Sequence, residues 1–161
     1  MAELLKRVYD NKKVSLALKI ISHASVAIGI LAFGAILLLS FFSDAMDALA
    51  ILVSAGVPFL LVSILRRLID APRPYELYDF YEEKPKEKKG QSFPSRHVFS
   101  AFVIATLSFT VSPILGGALL AVGVLLAVSR VLLGIHFIRD VVCGALVGII
   151  SGVLGILIIL L

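Results

Sequence analysis

Three short runs of this chain hold side chains that can do chemistry together. Residues 66–74 read RRLIDAPRP, residues 94–97 read PSRH, and residues 129–140 read SRVLLGIHFIRD. They supply Arg66, Arg73, Arg96 and Arg130, together with Ser95, His97, His136 and Asp140. Four guanidiniums suit a multiply charged, oxygen-rich anion, and the planar fork of arginine matches phosphate. Ser95 precedes an apolar run, so the free N–H groups of a helix beginning there add donors, and such a helix end is itself an anion site. Arg96 is unfavourable beside that positive dipole end unless an anion is present. Binding alone does not need two histidines. His136 and Asp140 are spaced i, i+4, which places them on one face if that turn is helical. A carboxylate on one ring nitrogen fixes the tautomer and frees the other nitrogen to attack phosphorus. His97 is then available to protonate a leaving alkoxide. These residue types supply a nucleophile, an orienting acid, a proton donor and a charge clamp around a site that fits phosphate.

Residues so far apart act together only if the elements between them bring them to one place. The chain has 161 residues, is 60% hydrophobic and contains no tryptophan, with a mean hydropathy of +1.05. Soluble domains run near half apolar, so the composition points to a membrane. Ala24 to Phe42, Ala48 to Leu65 and Val141 to Leu161 are free of charge. So is Val98 to Ser129, which is too long for one span and is broken at Ser112-Pro113 and Gly116-Gly117 into a helical hairpin. About 20 apolar residues cross a hydrocarbon core of about 30 Å. The reading is an all-α integral membrane bundle of about five transmembrane helices, starting near residues 16–24, 46, 95, 114 and 138.

Ahead of these spans, residues 1–22 mix Lys6, Arg7, Lys12, Lys13 and Lys19 with apolar residues. That pattern predicts an amphipathic helix lying in the interface rather than a further span, and no cleaved-signal pattern is present. Residues 70–93, with EEKPKEKKG in the middle, form the polar loop between the second and third spans. The whole of 1–161 is expected to be one membrane domain without repeats. In a zigzag of five spans, the end of the second, the start of the third and the fourth-to-fifth connection share one face. All three chemistry-bearing runs meet there.

Other functions are set aside on the same residues. Cys143 stands alone, which excludes an intramolecular disulfide. The net charge of +4 comes with no aromatic-interleaved basic surface, so anionic lipid rather than nucleic acid is the expected partner. There is no HExxH motif or cysteine cluster to hold a metal, and no cofactor is expected. His23 reads as an interfacial residue, and Arg67 and Arg139 as snorkelling cations. Gly144, Gly148 and Gly152 repeat every four residues, which favours close packing inside the bundle, with a homodimer as the alternative.

At this level the chain resembles the type 2 phosphatidic acid phosphatase family, integral membrane lipid phosphatases related to vanadium-dependent haloperoxidases. The family pattern is K-x6-R-P, then P-S-G-H, then S-R-x5-H-x3-D. Here the three motifs read Arg66-x6-Arg73-Pro74, Pro94-Ser95-Arg96-His97 and Ser129-Arg130-x5-His136-x3-Asp140. The resemblance covers roughly residues 45 to 161. It implies His136 as the nucleophile that becomes phosphohistidine, Asp140 as its partner and His97 as the general acid. It implies Arg66, Arg73, Ser95, Arg130 and the N–H of residue 96 as phosphate binders, and no metal. Arg66 stands where the family has lysine and Arg96 where it has glycine. The chain is also one span short of the family's usual six.

The leading expectation is therefore a metal-independent lipid phosphate phosphatase acting on phosphatidic acid, phosphatidylglycerophosphate or an isoprenyl diphosphate such as undecaprenyl diphosphate. A vanadate-dependent oxidase and a non-enzymatic protein that binds or moves anionic lipid are the competing classes. The charge pattern also bears on orientation. All 15 Lys and Arg residues lie on the motif side or at its edge, against Asp44 and Asp47 between the first two spans. Positive segments stay in the cytoplasm, so the count favours a cytoplasm-facing site, although many members of the resembled family act on the outer side.

Overall fold

A computed structural model describes residues 1–79 and 89–161. The lysine-rich run at 84–89, expected as a solvated loop, lies outside the described residues except for Lys89. The described residues form helices α1 (Ala2–Asp10), α2 (Lys12–Ser43), α3 (Ala45–Ile69), α4 (Pro74–Leu77), α5 (Arg96–Leu107), α6 (Pro113–Leu132) and α7 (Ile138–Leu160). A 3₁₀ turn over Ser108–Thr110 extends α5.

The helix boundaries follow from local chemistry. Asn11 accepts a hydrogen bond from the Val14 N–H at 3.2 Å, capping α2. Asp44 accepts one from Met46 N–H at 2.7 Å, capping α3. The apolar hairpin breaks at Ser112, which caps α6 through the Leu115 N–H, with Pro113 in the first turn, where its missing N–H costs nothing; Gly116-Gly117, also expected as a break, lies inside α6. Asp70 ends α3 in the left-handed region at φ 42°. The N-terminal segment is not one amphipathic helix over 1–22. It divides at Asn11 into α1 and the first turns of α2, because an Asn there satisfies the N–H groups of a new helix better than it continues the old one.

Four helices, α2, α3, α6 and α7, are long and apolar enough to cross a membrane, and the chain is a multi-pass membrane protein. The fifth, α5 with its 3₁₀ turn, runs only from Arg96 to Thr110, about 22 Å at 1.5 Å per residue. It need not face lipid along its length, because α2, α3, α6 and α7 all pack against it. Phe99, Val103 and Leu107 of α5 join Ile36, Ile51, Ala55 and Val62 in the core. Large side chains such as Leu31, Phe42, Leu68 and Ile114 stay on the outside, where a bilayer is the solvent.

At the α5–α7 seam the two helices pack backbone to backbone. A Cβ on Gly144 would lie 2.5 Å from the Ser95 carbonyl oxygen, and one on Gly148 would lie 2.6 Å from that of Phe99. Gly152 meets Thr106 and Gly155 meets Ser54. The small-residue repeat is thus used within the bundle, letting α7 approach α5 backbone to backbone.

Candidate active site

The α5–α7 seam ends at the motif face, where the three chemistry-bearing runs converge. α7 begins with Ile138, and Asp140 in its first turn accepts the Phe137 N–H at 2.9 Å through Oδ2, a reciprocal cap of the helix start. His136 therefore sits in the loop ahead of α7, not on a helical face with Asp140. The loop is held by its own backbone. Ile135 and His136 N–H both donate to the Arg130 carbonyl, at 3.0 and 3.3 Å, and Gly134 takes φ 68°. Gly134 also accepts the Tyr75 N–H at 3.1 Å, tying this turn to α4.

His136 is 2% exposed and Asp140 is fully buried. Their nearest approach, Nδ1 to Oδ2, is 3.7 Å, beyond hydrogen-bonding distance. The fully buried Ser92 hydroxyl lies against both. Ser92 donates to Asp140 Oδ2 at 2.5 Å and lies 3.3 Å from His136 Nδ1. The other Asp140 oxygen has the exposed Arg139 guanidinium at 3.5 Å. Burial pushes the His136 pKa below its ordinary value, and the nearby Arg73 and Arg66 charges add to that, while Asp140 opposes them.

The arginines divide into two groups. Arg66, at the end of α3, is buried and donates from Nη1 to the Pro94 carbonyl at 2.6 Å. Arg73 is buried and donates from Nε to the Gly90 carbonyl at 2.9 Å. Arg130 is buried in the last turn of α6. These three belong to the converging face. Arg96 does not. Its exposed guanidinium turns toward α3, 3.5 Å from Ser63 Oγ and 5.2 Å from the centre of the Phe59 ring. A helical side chain leans back along the helix and outward, and the 94–95 backbone already occupies the inner side.

Ser95 is the N-cap of α5 and fully buried. Its N–H donates to the Asp140 carbonyl at 2.9 Å. Its hydroxyl has no hydrogen-bond partner among the described residues, a costly state for a buried polar atom unless something binds there. His97 is half-buried in the first turn of α5. Two carboxylates that the sequence reading passed over hold the approach to this helix. Glu76 Oε1 accepts the Gly90 N–H at 2.7 Å, and Asp70 Oδ1 accepts the Gln91 N–H at 3.1 Å. Ser92 was also passed over. Its only signal was its place three residues before Ser95 in the same run. Among the described residues, no group of three or more His, Cys, Asp or Glu is placed to hold a metal ion.

Such a face can do the following: hold an anion between buried guanidiniums and a helix N-terminus, and present an imidazole nitrogen to it. Comparison with known proteins bears on family and fold. Residues 47–160 match the model of the PAP2 superfamily. A lipid A 1-phosphatase from Porphyromonas gingivalis is 37% identical over 82 residues, covering 48% of this chain but only 18% of that protein. The crystal structure of Aquifex aeolicus LpxE superposes with a TM-score of 0.72 at 23% identity, covering 96% of this chain and 93% of that one. A transmembrane PAP2-type phosphatidylglycerolphosphate phosphatase from Bacillus subtilis gives a TM-score of 0.58 at 24% identity, with 96% and 90% covered.

Proposed function

Because the chain belongs to the PAP2 superfamily, we propose that it is an integral membrane phosphatase that removes phosphate from a membrane lipid. The observation that carries this reading is the buried His136, linked through Ser92 to the buried Asp140 and under the influence of the Arg73 and Arg66 charges, on the face where the Ser95 hydroxyl at the start of α5 has no hydrogen-bond partner among the described residues. Its depressed pKa keeps the imidazole neutral near pH 7, as a nucleophile must be. In the proposed reaction His136 Nε2 attacks phosphorus, and a P–N bond forms as the bond to the lipid oxygen breaks. His97 gives that oxygen its proton. Water then attacks the phosphohistidine and gives its proton to His97 as the P–N bond breaks, which releases phosphate and restores both rings. Arg66, Arg73, Arg130, Ser95 and the backbone N–H of residue 96 hold the phosphoryl oxygens and stabilise five-coordinate phosphorus. No step in this scheme requires a metal.

The substrate classes are phosphatidic acid, phosphatidylglycerophosphate, an isoprenyl diphosphate, or a phosphorylated glycolipid of the kind named for the Porphyromonas relative. The basic residues of α1, the start of α2 and the motif loops support a cytoplasm-facing site. The test is phosphate release from a panel of lipid mono- and diphosphates in detergent, with excess chelator and with vanadate. Release that survives chelator, stops with vanadate and is abolished in His136→Ala is expected. Turnover by His136→Ala near the wild-type rate, or dependence on magnesium, refutes the mechanism. A cysteine at Lys89 in a Cys143→Ala background tests sidedness, since labelling of intact cells by a membrane-impermeant thiol reagent overturns the inward orientation.

A further inference from the structure

We propose that Ser92 is a positioning residue whose hydroxyl links His136 to Asp140 and sets the tautomer of the reacting ring, an inference that rests on the reading of His136 as nucleophile. The argument is a count of protons. His136 Nδ1 and Asp140 Oδ2 stand 3.7 Å apart, too far for the direct bond that the i, i+4 spacing suggested. The Ser92 hydroxyl touches both, at 2.5 Å from Oδ2 and 3.3 Å from Nδ1. An ionised carboxylate only accepts, so the single hydroxyl proton of Ser92 goes to Asp140. The remaining contact then has one possible direction: Nδ1–H donates to the Ser92 oxygen. That assigns the proton to Nδ1 and leaves the lone pair on Nε2, the nitrogen turned away from the pair.

The arrangement also serves the intermediate. When Nε2 bonds to phosphorus the ring becomes cationic, and Nδ1–H becomes a stronger donor toward Ser92. Ser92 in turn donates to the Asp140 carboxylate, so the developing charge is met through one hydroxyl with no change of partners. Ser92 is held for this purpose from both sides. Its own N–H donates to the Ala71 carbonyl at 2.9 Å. The two preceding N–H groups are taken by Asp70 and Glu76, and Ser95 N–H is fixed on the Asp140 carbonyl. A residue that only filled space there would not need its hydroxyl aligned between a carboxylate and an imidazole.

The chain has only three histidines, so ring ¹⁵N signals in histidine-labelled protein are assignable with His23→Gln and His136→Gln. In the unaltered protein above pH 7.5, His136 is expected as the Nδ1–H tautomer; an Nε2–H ring overturns the proposal before any variant is made. Ser92→Ala is expected to lose that preference, with kcat falling about 100-fold and KM within about threefold, the size of effect that follows from misorienting a reacting group. A Ser92→Ala protein that keeps a pure Nδ1–H ring, or one that keeps its kcat, refutes the role. Because the tautomer is read without substrate, its outcome is separate from that of the phosphatase assay. A chain inactive on every lipid phosphate would defeat the functional reading while leaving the ring assignment to stand or fall alone.

Discussion

Substituting Gly144 tests whether the α5–α7 seam is part of the active-site geometry or only of the fold. In Gly144→Ala the new methyl group lies 2.5 Å from the Ser95 carbonyl oxygen and 3.3 Å from Phe99 N. Ordinary contact begins at 3.4 Å, so the helices must part by about 0.9 Å, and no side chain can rotate aside because the obstacle is backbone. The Ser95 N–H to Asp140 carbonyl bond, now 2.9 Å, crosses the same seam and does not survive that opening. Overpacking costs about 1–3 kcal/mol, and the lost bond about 1 kcal/mol more. A displacement of this size at reacting groups lowers the rate about 100-fold. Gly152→Ala is the control. Its methyl meets Thr106 Cβ at 2.5 Å, a similar clash, but about 12 Å further along α7 from the site. It should lose comparable stability and keep kcat within about threefold. Thermal midpoints in detergent, with kcat and KM measured well below the lower midpoint, separate the two. Equal rate losses in both variants, or a wild-type rate in Gly144→Ala, would sink the argument.

His97→Ala should slow phosphoenzyme formation most for substrates with poor leaving groups, since these need a proton; equal slowing of an aryl and an alkyl phosphate would remove His97 from that role. Arg96→Gly should leave kcat within about threefold, because the guanidinium rests on Phe59 and Ser63 while the backbone N–H is kept. It should change relative rates among headgroups, and a uniform fall across all lipids would place Arg96 on the reacting phosphate. NMR titration of the His136 ring should give a midpoint below the ordinary value of about 6.5, as burial and Arg73 and Arg66 depress it. The folded state then binds fewer protons than the unfolded chain, so this contribution to stability is complete above about pH 6.5 and declines as pH falls toward the folded-state midpoint. Asp140→Asn removes the opposing influence and should lower the midpoint further; an upward shift would contradict the electrostatics.

The spans were legible because lipid leaves the chain little choice: charge-free runs of the right length form helices, and Ser112-Pro113 can only end one and begin another. Convergence of the motifs followed from counting crossings. What composition could not reveal was that α5 is too short to be an ordinary span, since the apolar run continues across the hairpin. Nor could it show the break at Asn11, where one cap decides between two helices of similar propensity. At the site, residue types and their spacing pointed to phosphate chemistry, but directions did not follow. Arg96 turns outward because its neighbours' backbone fills the inside. The expected helical His136–Asp140 face is absent because Asp140 caps the helix that His136 precedes. Ser92 was invisible because its meaning lies with residues 44 and 48 positions away. Serine is common, and no periodicity marks that distance.

The Glu76–Gly90 and Asp70–Gln91 bonds have a consequence for how much sequence the site can tolerate. They tie the chain on either side of the stretch between residues 77 and 89 before it reaches Ser92. Geometry downstream of Gly90 is then set by α3, α4 and the two carboxylates, not by the length of what is strung between them. Insertions there, whether accumulated by drift or installed as an epitope or a fluorophore attachment point, are expected to be buffered from the reacting groups by these two bonds. The same insertion three residues later, past the clasp, would be transmitted directly to Ser92 and Ser95.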